Sequence, residues 1–445
     1  MGPPILAEPS LKSWAALAAL IFVFVLLQSH RRWNHRLRGR RLPPGPKGLP
    51  IIGNALDFIR LENQWAVFKD WCSQHGDLVY LRVASQHIVI IGSSRLATEL
   101  LEKRSSNTSD RPVSPVLPLV GNDAAFSAMR YGQTWREHRR AFWQVFHPRA
   151  IQEYRDVQQV YLRRFLHKLL TSPEDLEEHV RYMFAATMMK ILYDIDTQDN
   201  NNELIAKVHE AMSCSMDIVT GRHPIDFCPW LQYLPSWIPG AGFQHALAKC
   251  KAAVTYVKEV PYALTKAASD QGSASSCTIS VLLSRAEDDP DMAAKANYEE
   301  IVKNVGLVAF EGEMTCRLAI RRSNADAELS RRFRYSQSFL RSAHLLTEGR
   351  YSTQSFSALM SLFLAMSLYP EVQRKAQAEL DAVIGTARLP DFNDRESLPY
   401  VNAVIKELLR WHVILPLGLP HRTVEDDEGD GYFIPAGTII LPNTW

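Results

Sequence analysis

The spacing of apolar residues changes several times along the chain, and each change marks an element. Ser13 to Ser29, centred on WAALAALIFVFVLL, is a 17-residue run without charge, and a bilayer-spanning helix needs roughly 17–25 such residues. In Gly76 to Ser93 (GDLVYLRVASQHIVIIGS), β-branched and aromatic residues flank a short polar break, which predicts the two strands of a hairpin. Helical spacing dominates further on. Tyr131 to Pro148 (YGQTWREHRRAFWQVFHP) predicts a helix ended by Pro148, with Trp135 and Arg139 four residues apart on one face. Val401, Val404, Ile405, Leu408 and Leu409 form an amphipathic stripe, with Ser397 as N-cap and Pro399 in the first turn. Glu407 and Arg410 fall on the opposite face of that helix, which the pattern alone leaves to water. Trp411 and the apolar run Val413 to Pro420 follow at once and must pack on something, so a covered ion pair is the alternative.

Between these elements lie segments of other composition. Arg41 to Asn54 (RLPPGPKGLPIIGN) carries Pro43, Pro44, Pro46 and Pro50, which block helix continuation, and three glycines that allow turns. It predicts a stiff hinge. Asp270 to Ser280 predicts a flexible loop. Pro229 to Phe243 mixes Trp, Pro and aliphatic residues and suits either a membrane-surface contact or ordinary packing. Glu313 to Arg350 differs from both neighbours: its 38 residues hold eight Arg, no Lys and no sustained apolar period. At the end of the chain, Pro435-Ala436-Gly437 turns it between two strand-like runs.

Fifty basic against forty-eight acidic residues give a net charge of +2, which does not describe a nucleic-acid surface. The charge is instead local: Arg31, Arg32, Arg36, Arg38, Arg40 and Arg41 follow the uncharged run, while only Lys12 closely precedes it. A cleaved signal peptide has its basic residues in front, so the order predicts a retained signal anchor with the bulk of the chain in the cytosol. The six cysteines are scattered, without Cys-x-x-Cys or a neighbouring His pair, and are expected to be reduced thiols rather than a disulfide framework or a zinc site. Arg136, His138, Arg139 and Arg140 beside Trp135 form either a solvated face or an anion clamp, in which guanidinium and indole N–H groups hold a carboxylate.

Taken together, the apolar anchor, PPGP, Trp135-x-x-x-Arg139, Glu407-x-x-Arg410 and LPHR (Leu419 to Arg422) stand in the order found in membrane-anchored cytochromes P-450. The chain resembles the fungal haem-thiolate monooxygenases of that family from Arg41 to Trp445, apart from the segment at 313–350. The resemblance implies a mainly α fold with a small β region, plus the N-terminal transmembrane helix. Its parts would be an anchor at 1–30, a basic and Pro-rich hinge at 31–50 and a haem domain at 51–445. It implies haem iron as cofactor, with Trp135 and Arg139 holding one propionate and His421 or Arg422 the other. Glu407 and Arg410 would be a buried structural lock behind the haem. The implied partners are the lipid bilayer of the endoplasmic reticulum, an NADPH-dependent flavoprotein reductase and a lipophilic small-molecule substrate that receives one oxygen atom of O2.

Two departures from the family pattern qualify this expectation. None of the six cysteines stands in Phe-x-x-Gly-x-Arg-x-Cys-x-Gly, the motif of the axial ligand, so the domain is expected to be incomplete and the chain to be inactive, or a membrane-tethered remnant. The long helix that relays protons to bound oxygen in the family is interrupted, leaving Glu311 in AFEG and Thr353 in STQS as remnants of the relay. The interrupting segment is either a surface insertion or a retained intron, since Gly312-Glu313 can be encoded by GGTGAG, which contains a common splice-donor sequence.

Overall fold

The computed structural model describes residues 20, 24, 27, 28 and 31–444, apart from 61–62, 198–202, 220–222, 239–241, 272–275, 288–291, 315–354, 386 and 414. The expected anchor lies for the most part outside the described residues. Among the described residues no helix is long and apolar enough to cross a membrane.

The predicted hairpin forms as β1 (Leu78–Val83) and β2 (Gln86–Ile91), antiparallel, with Leu78 opposite Ile91 and Val83 opposite Gln86. Both faces of this pair are covered: Val79, Leu81, Val83, Ile88 and Ile90 pack with Phe58 and Phe68, whereas Leu78, Val89 and Ile91 pack with Leu96 and Leu100. The end of the chain returns to this hairpin. Strand β3 (His421–Arg422), the β4–β5 hairpin (Asp427–Gly429 and Tyr432–Ile434) and β6 (Ile439–Pro442) follow one another there. The two strand-like runs around Pro435-Ala436-Gly437 do not pair with each other. Strand β5 pairs with β4, and β6 lies parallel to β2 and antiparallel to β3, which gives the sheet order β1-β2-β6-β3.

The Pro-rich stretch is seated against this sheet. Tyr80 N–H donates to the Pro44 carbonyl at 2.9 Å and Asn54 N–H to that of Arg82 at 2.6 Å. A Cβ at Gly45 would collide with the Tyr80 carbonyl, so the approach needs glycine there. Upstream, residues 31–37 are helical, Trp33 stacks on His87 at 4.5 Å, and Arg36 pairs with Asp426 at 2.6 Å.

The helical part contains α1 (Gln64–His75), α2 (Gln133–Phe146), α3 (Arg155–Thr171), α4 (Leu176–Tyr193), α5 (Glu203–Val219), α6 (Phe243–Asp270), α7 (Thr278–Glu287), α8 (Met292–Met314), α9 (Ser355–Leu368), α10 (Pro370–Val383) and α11 (Pro399–Trp411). Helix α4 is buried at every position from Tyr182 to Tyr193 except Lys190, as a helix largely enclosed by others must be, and it forms the centre of the main core. Helix α8 crosses it at Gly306, where any Cβ would collide with the Tyr193 hydroxyl. Missing side-chain volume at this position sets the closeness of the two helices.

Three expectations are corrected here. Glu407 and Arg410 do form a bidentate ion pair, at 2.6 and 2.8 Å, but their side chains are 59% and 73% exposed. Helix α11 buries Val401 and Leu408 on its other face. The pair is therefore a solvated one, as the apolar pattern alone implies, and not a covered lock. Ser397 does not cap α11. The Glu379 carboxylate of α10 does so, accepting from Tyr400 N–H at 2.9 Å and Val401 N–H at 2.8 Å. The cysteines are not all thiols either: Cys214 of α5 and Cys250 of α6 form a disulfide, while Cys72, Cys228 and Cys277 are free. The packing of two helices side by side brings this pair together, and no local spacing announces it.

Candidate carboxylate-binding site

Segments far apart in the sequence meet at one buried carboxylate. Asp110 is 3% exposed, and its Oδ1 accepts from the Tyr131 N–H at 3.1 Å. Its Oδ2 accepts from Arg130 Nε at 3.2 Å, with Arg422 Nη1 at 3.9 Å. The Asp110 carbonyl accepts from the Arg422 N–H at 2.8 Å, Arg111 donates to the carbonyls of Leu419 and Pro420 at 3.1 and 2.7 Å, and the Thr108 carbonyl accepts from His421 Nδ1 at 2.9 Å. The turn that starts α2 and strand β3 are thus fixed to the same stretch, 108–111.

Trp135 is half-buried in the first turn of α2, against Ala125, Phe126 and Val308 of α8, with its ring 5.2 Å from that of Tyr131. Arg139 is exposed and leans along the helix, its guanidinium 6.0 Å from the Trp143 ring, and among the described residues it has no carboxylate partner. Arg136 and Arg140 are exposed as well, and Arg136 donates to Gln133 at 3.1 Å. The basic run therefore divides. Arg136, Arg139 and Arg140 all lie on the exposed side, Trp135 is half-buried, and His138 turns inward.

In strand β3 the two candidates differ in what they can donate. A carbonyl only accepts, so the His421 proton sits on Nδ1 and a neutral ring offers Nε2 as an acceptor. Burial, with the Arg111 charge beside it, pushes the His421 pKa down and favours that neutral ring. The Arg422 guanidinium carries only donors. Its guanidinium lies beside Gly437, whose φ of +83° no side chain adopts easily and where a Cβ would stand 3.4 Å from Nη2.

Glu311 stands in the last turns of α8, one turn beyond the Val308 that packs with Trp135. Burial pushes its carboxyl up to about 7, against the opposing effect of a hydrogen bond from Asn122. A carboxyl poised there can both give and take a proton near neutrality. Thr353 and residues 315–354 lie outside the described residues. The hub residue, Asp110, stands in Ser109 to Pro112 (SDRP), a stretch without periodic signature.

A model of the Cytochrome P450 family matches residues 43–322 and 343–445. Cytochrome P450 monooxygenase COX2 of Coprinopsis cinerea is 35% identical over 97% of this chain and 74% of its own length. COX1 of the same fungus is 33% identical over 97% and 76%. A cytochrome P450 monooxygenase of Armillaria gallica is 33% identical over 97% and 77%.

Proposed function

The chain belongs to the cytochrome P450 family, and from that premise we propose that it oxidises a lipophilic small molecule, with Trp135, Arg139 and Arg422 holding the propionates of the haem, while His421, its proton used on the Thr108 carbonyl, fixes strand β3. The family's enzymes are haem-thiolate monooxygenases that take electrons from a partner reductase. The carrying observation is the hub at Asp110, which fixes the start of α2 and strand β3 to one stretch. The donor set suits a dicarboxylate. It comprises an indole N–H, a guanidinium without a described carboxylate partner, and a second guanidinium whose acid is 3.9 Å away. The space left by Gly437 beside Arg422 suits it too.

When bound, haem supplies the activation of dioxygen, its iron held by a cysteine thiolate in this family. The residues of this chain orient and protonate. Arg139 and Arg422 would neutralise two carboxylates by charge-assisted hydrogen bonds, Trp135 would add an N–H from a half-buried ring, and Glu311 would move protons at its carboxyl oxygen.

Two titrations of the purified chain test this reading. Arg139→Met and Arg422→Met are each expected to weaken haem binding by about tenfold, as loss of one charge-assisted hydrogen bond does. Unchanged affinity in both variants rejects the clamp. None of the six cysteines stands in the ligand motif of the family. A polypeptide of these 445 residues, reduced and exposed to carbon monoxide, is thus expected to lack the thiolate-type absorption shift, and its appearance would show that one of the six cysteines serves.

Two further readings belong with this one. The family match stops at 322 and resumes at 343, within the Arg-rich segment 313–350, which supports an insertion or a retained intron in the relay helix. Sequencing the transcript across Gly312 to Ser352 decides between them: codons for the segment absent from mature message identify an intron. The uncharged run Ser13 to Ser29, its arginine flank, and exposed Ile51, Trp230 and Trp237 support attachment to the endoplasmic reticulum membrane with the domain in the cytosol. Full-length protein is expected to stay with membranes after alkaline carbonate washing, and release by the wash would refute a spanning anchor.

A further inference from the structure

Helix α2 turns His138, Ala141 and Val145 inward, at 4%, 2% and 4% exposure, so an imidazole occupies a position where a core stripe calls for an aliphatic side chain. Its hydrogen bonds define its state. Nδ1 lies 2.8 Å from the Thr134 carbonyl, which only accepts, so the proton is on Nδ1. Nε2, left as an acceptor, lies 3.1 Å from Asn304 Nδ2 of α8, which donates to it. The other amide atom, Asn304 Oδ1, is buried with no hydrogen-bond partner among the described residues.

Stability does not account for this arrangement. A buried amide with an orphaned oxygen carries a desolvation cost, and two apolar groups of the same shape commonly pack as well or better. What the pair supplies is direction. Apolar contacts between α2 and α8 tolerate small rotations of one helix on the other, whereas an N–H···N bond to a ring of fixed tautomer does not. The residues on either side of this bond are those of the site: Trp135 one turn before His138, Arg139 next to it, and Val308 one turn beyond Asn304.

We infer that His138 is a positioning residue which, through its hydrogen bond from Asn304, fixes the rotation of α2 on α8 and so aims Trp135 and Arg139 at a carboxylate of the bound cofactor. The inference rests on the propionate-clamp reading above and adds to it a residue outside the clamp. It also ties the clamp to the helix that carries Glu311.

The test uses the full chain, with His138→Phe, Asn304→Leu, both together, and His138→Gln, whose amide can accept from Asn304 and donate to Thr134. Each is titrated with haem and with haem dimethyl ester, in which the propionates are no longer charged, and unfolded in urea. The phenylalanine and leucine variants are expected to bind haem about tenfold more weakly, in line with other losses of outer-shell support. The double variant should bind no worse than either single one, because one bond is lost in all three. It should nevertheless be at least as stable as the wild type, and His138→Gln should restore most of the haem affinity. Ester binding should change by less than about threefold throughout, the tolerance for a contact not made. Equal losses for haem and ester would make His138 a structural residue only, and wild-type haem affinity in the double variant would show that the bond aims nothing; either result overturns the inference. A wild-type chain that takes up neither porphyrin overturns the clamp reading itself.

Discussion

Replacing Asp110 by alanine is expected to lower the unfolding free energy by about 3 kcal/mol, the scale of a buried charge removed from its partners. The loss has several parts. The Tyr131 N–H is left without its acceptor, Arg130 loses its acid, and Arg422 loses the nearest negative charge. The full cost of a broken buried pair is not reached, because Arg130 is 63% exposed and can turn to water. The comparison variant is Arg130→Ala, which leaves the buried Asp110 with the Tyr131 N–H and the Arg422 guanidinium and should cost about 1 kcal/mol. Urea unfolding of both proteins measures this, and equal destabilisation by the two substitutions would remove Asp110 from its place as hub. The same Asp110 variant should also bind haem more weakly, since the carboxylate link from the 108–111 stretch to the start of α2 is then lost.

Glu311→Gln is expected to stabilise the protein at pH 8 and to leave it unchanged at pH 4. The Glu311 carboxyl titrates at about 7 in the folded chain against an ordinary value of 4.5. Between those values the folded state holds a proton that the unfolded state has released, so stability falls as pH rises through this window. The difference amounts to about 3 kcal/mol once both states are ionised. Glutamine keeps the shape and cannot ionise, so its advantage should grow from pH 4.5 and level off above pH 7. Parallel urea titrations at several pH values check this, and a constant difference between the two proteins at all pH values would show that Glu311 is not held protonated by the fold. A variant more stable at pH 8 but not at pH 4 would match a proton-holding group kept in place at the expense of stability.

What the sequence disclosed depended on how local each feature is. The hairpin Gly76 to Ser93 was legible because both its strands and its turn lie in one short stretch, and it is observed as Leu78–Val83 and Gln86–Ile91. The helix with Trp135 and Arg139 was legible for the same reason, and its observed bounds, Gln133–Phe146, lie within the expected ones. Glu379 as the cap of α11, the Cys214–Cys250 bond and the pairing of β6 with β2 each join separate elements, and residue spacing within one element carries no record of them. The Glu407–Arg410 pair shows the opposite case. Its own helix pattern indicated a wet face, whereas the apolar run that follows the helix and the resemblance both suggested a covered one. In the site, the spacing put Trp135 and Arg139 on one face of a single helix, whereas the hub at Asp110 and the bond from Asn304 to His138 depend on tertiary contacts alone.

The parallel pairing of β6 with β2 has a consequence for synthesis. Gln86, at the start of β2, donates to the carbonyl of Gly437, 351 residues later. While a ribosome makes the intervening helices, the β1–β2 hairpin has an open edge bearing Ile88, Ile90 and Ile91, and this is the type of flat apolar edge that recruits foreign strands. The nascent chain must therefore wait for residues 439–442 with a sticky margin exposed. Chaperone demand during translation, more than the stability of the finished domain, then sets how much of the protein a heterologous host recovers in soluble form.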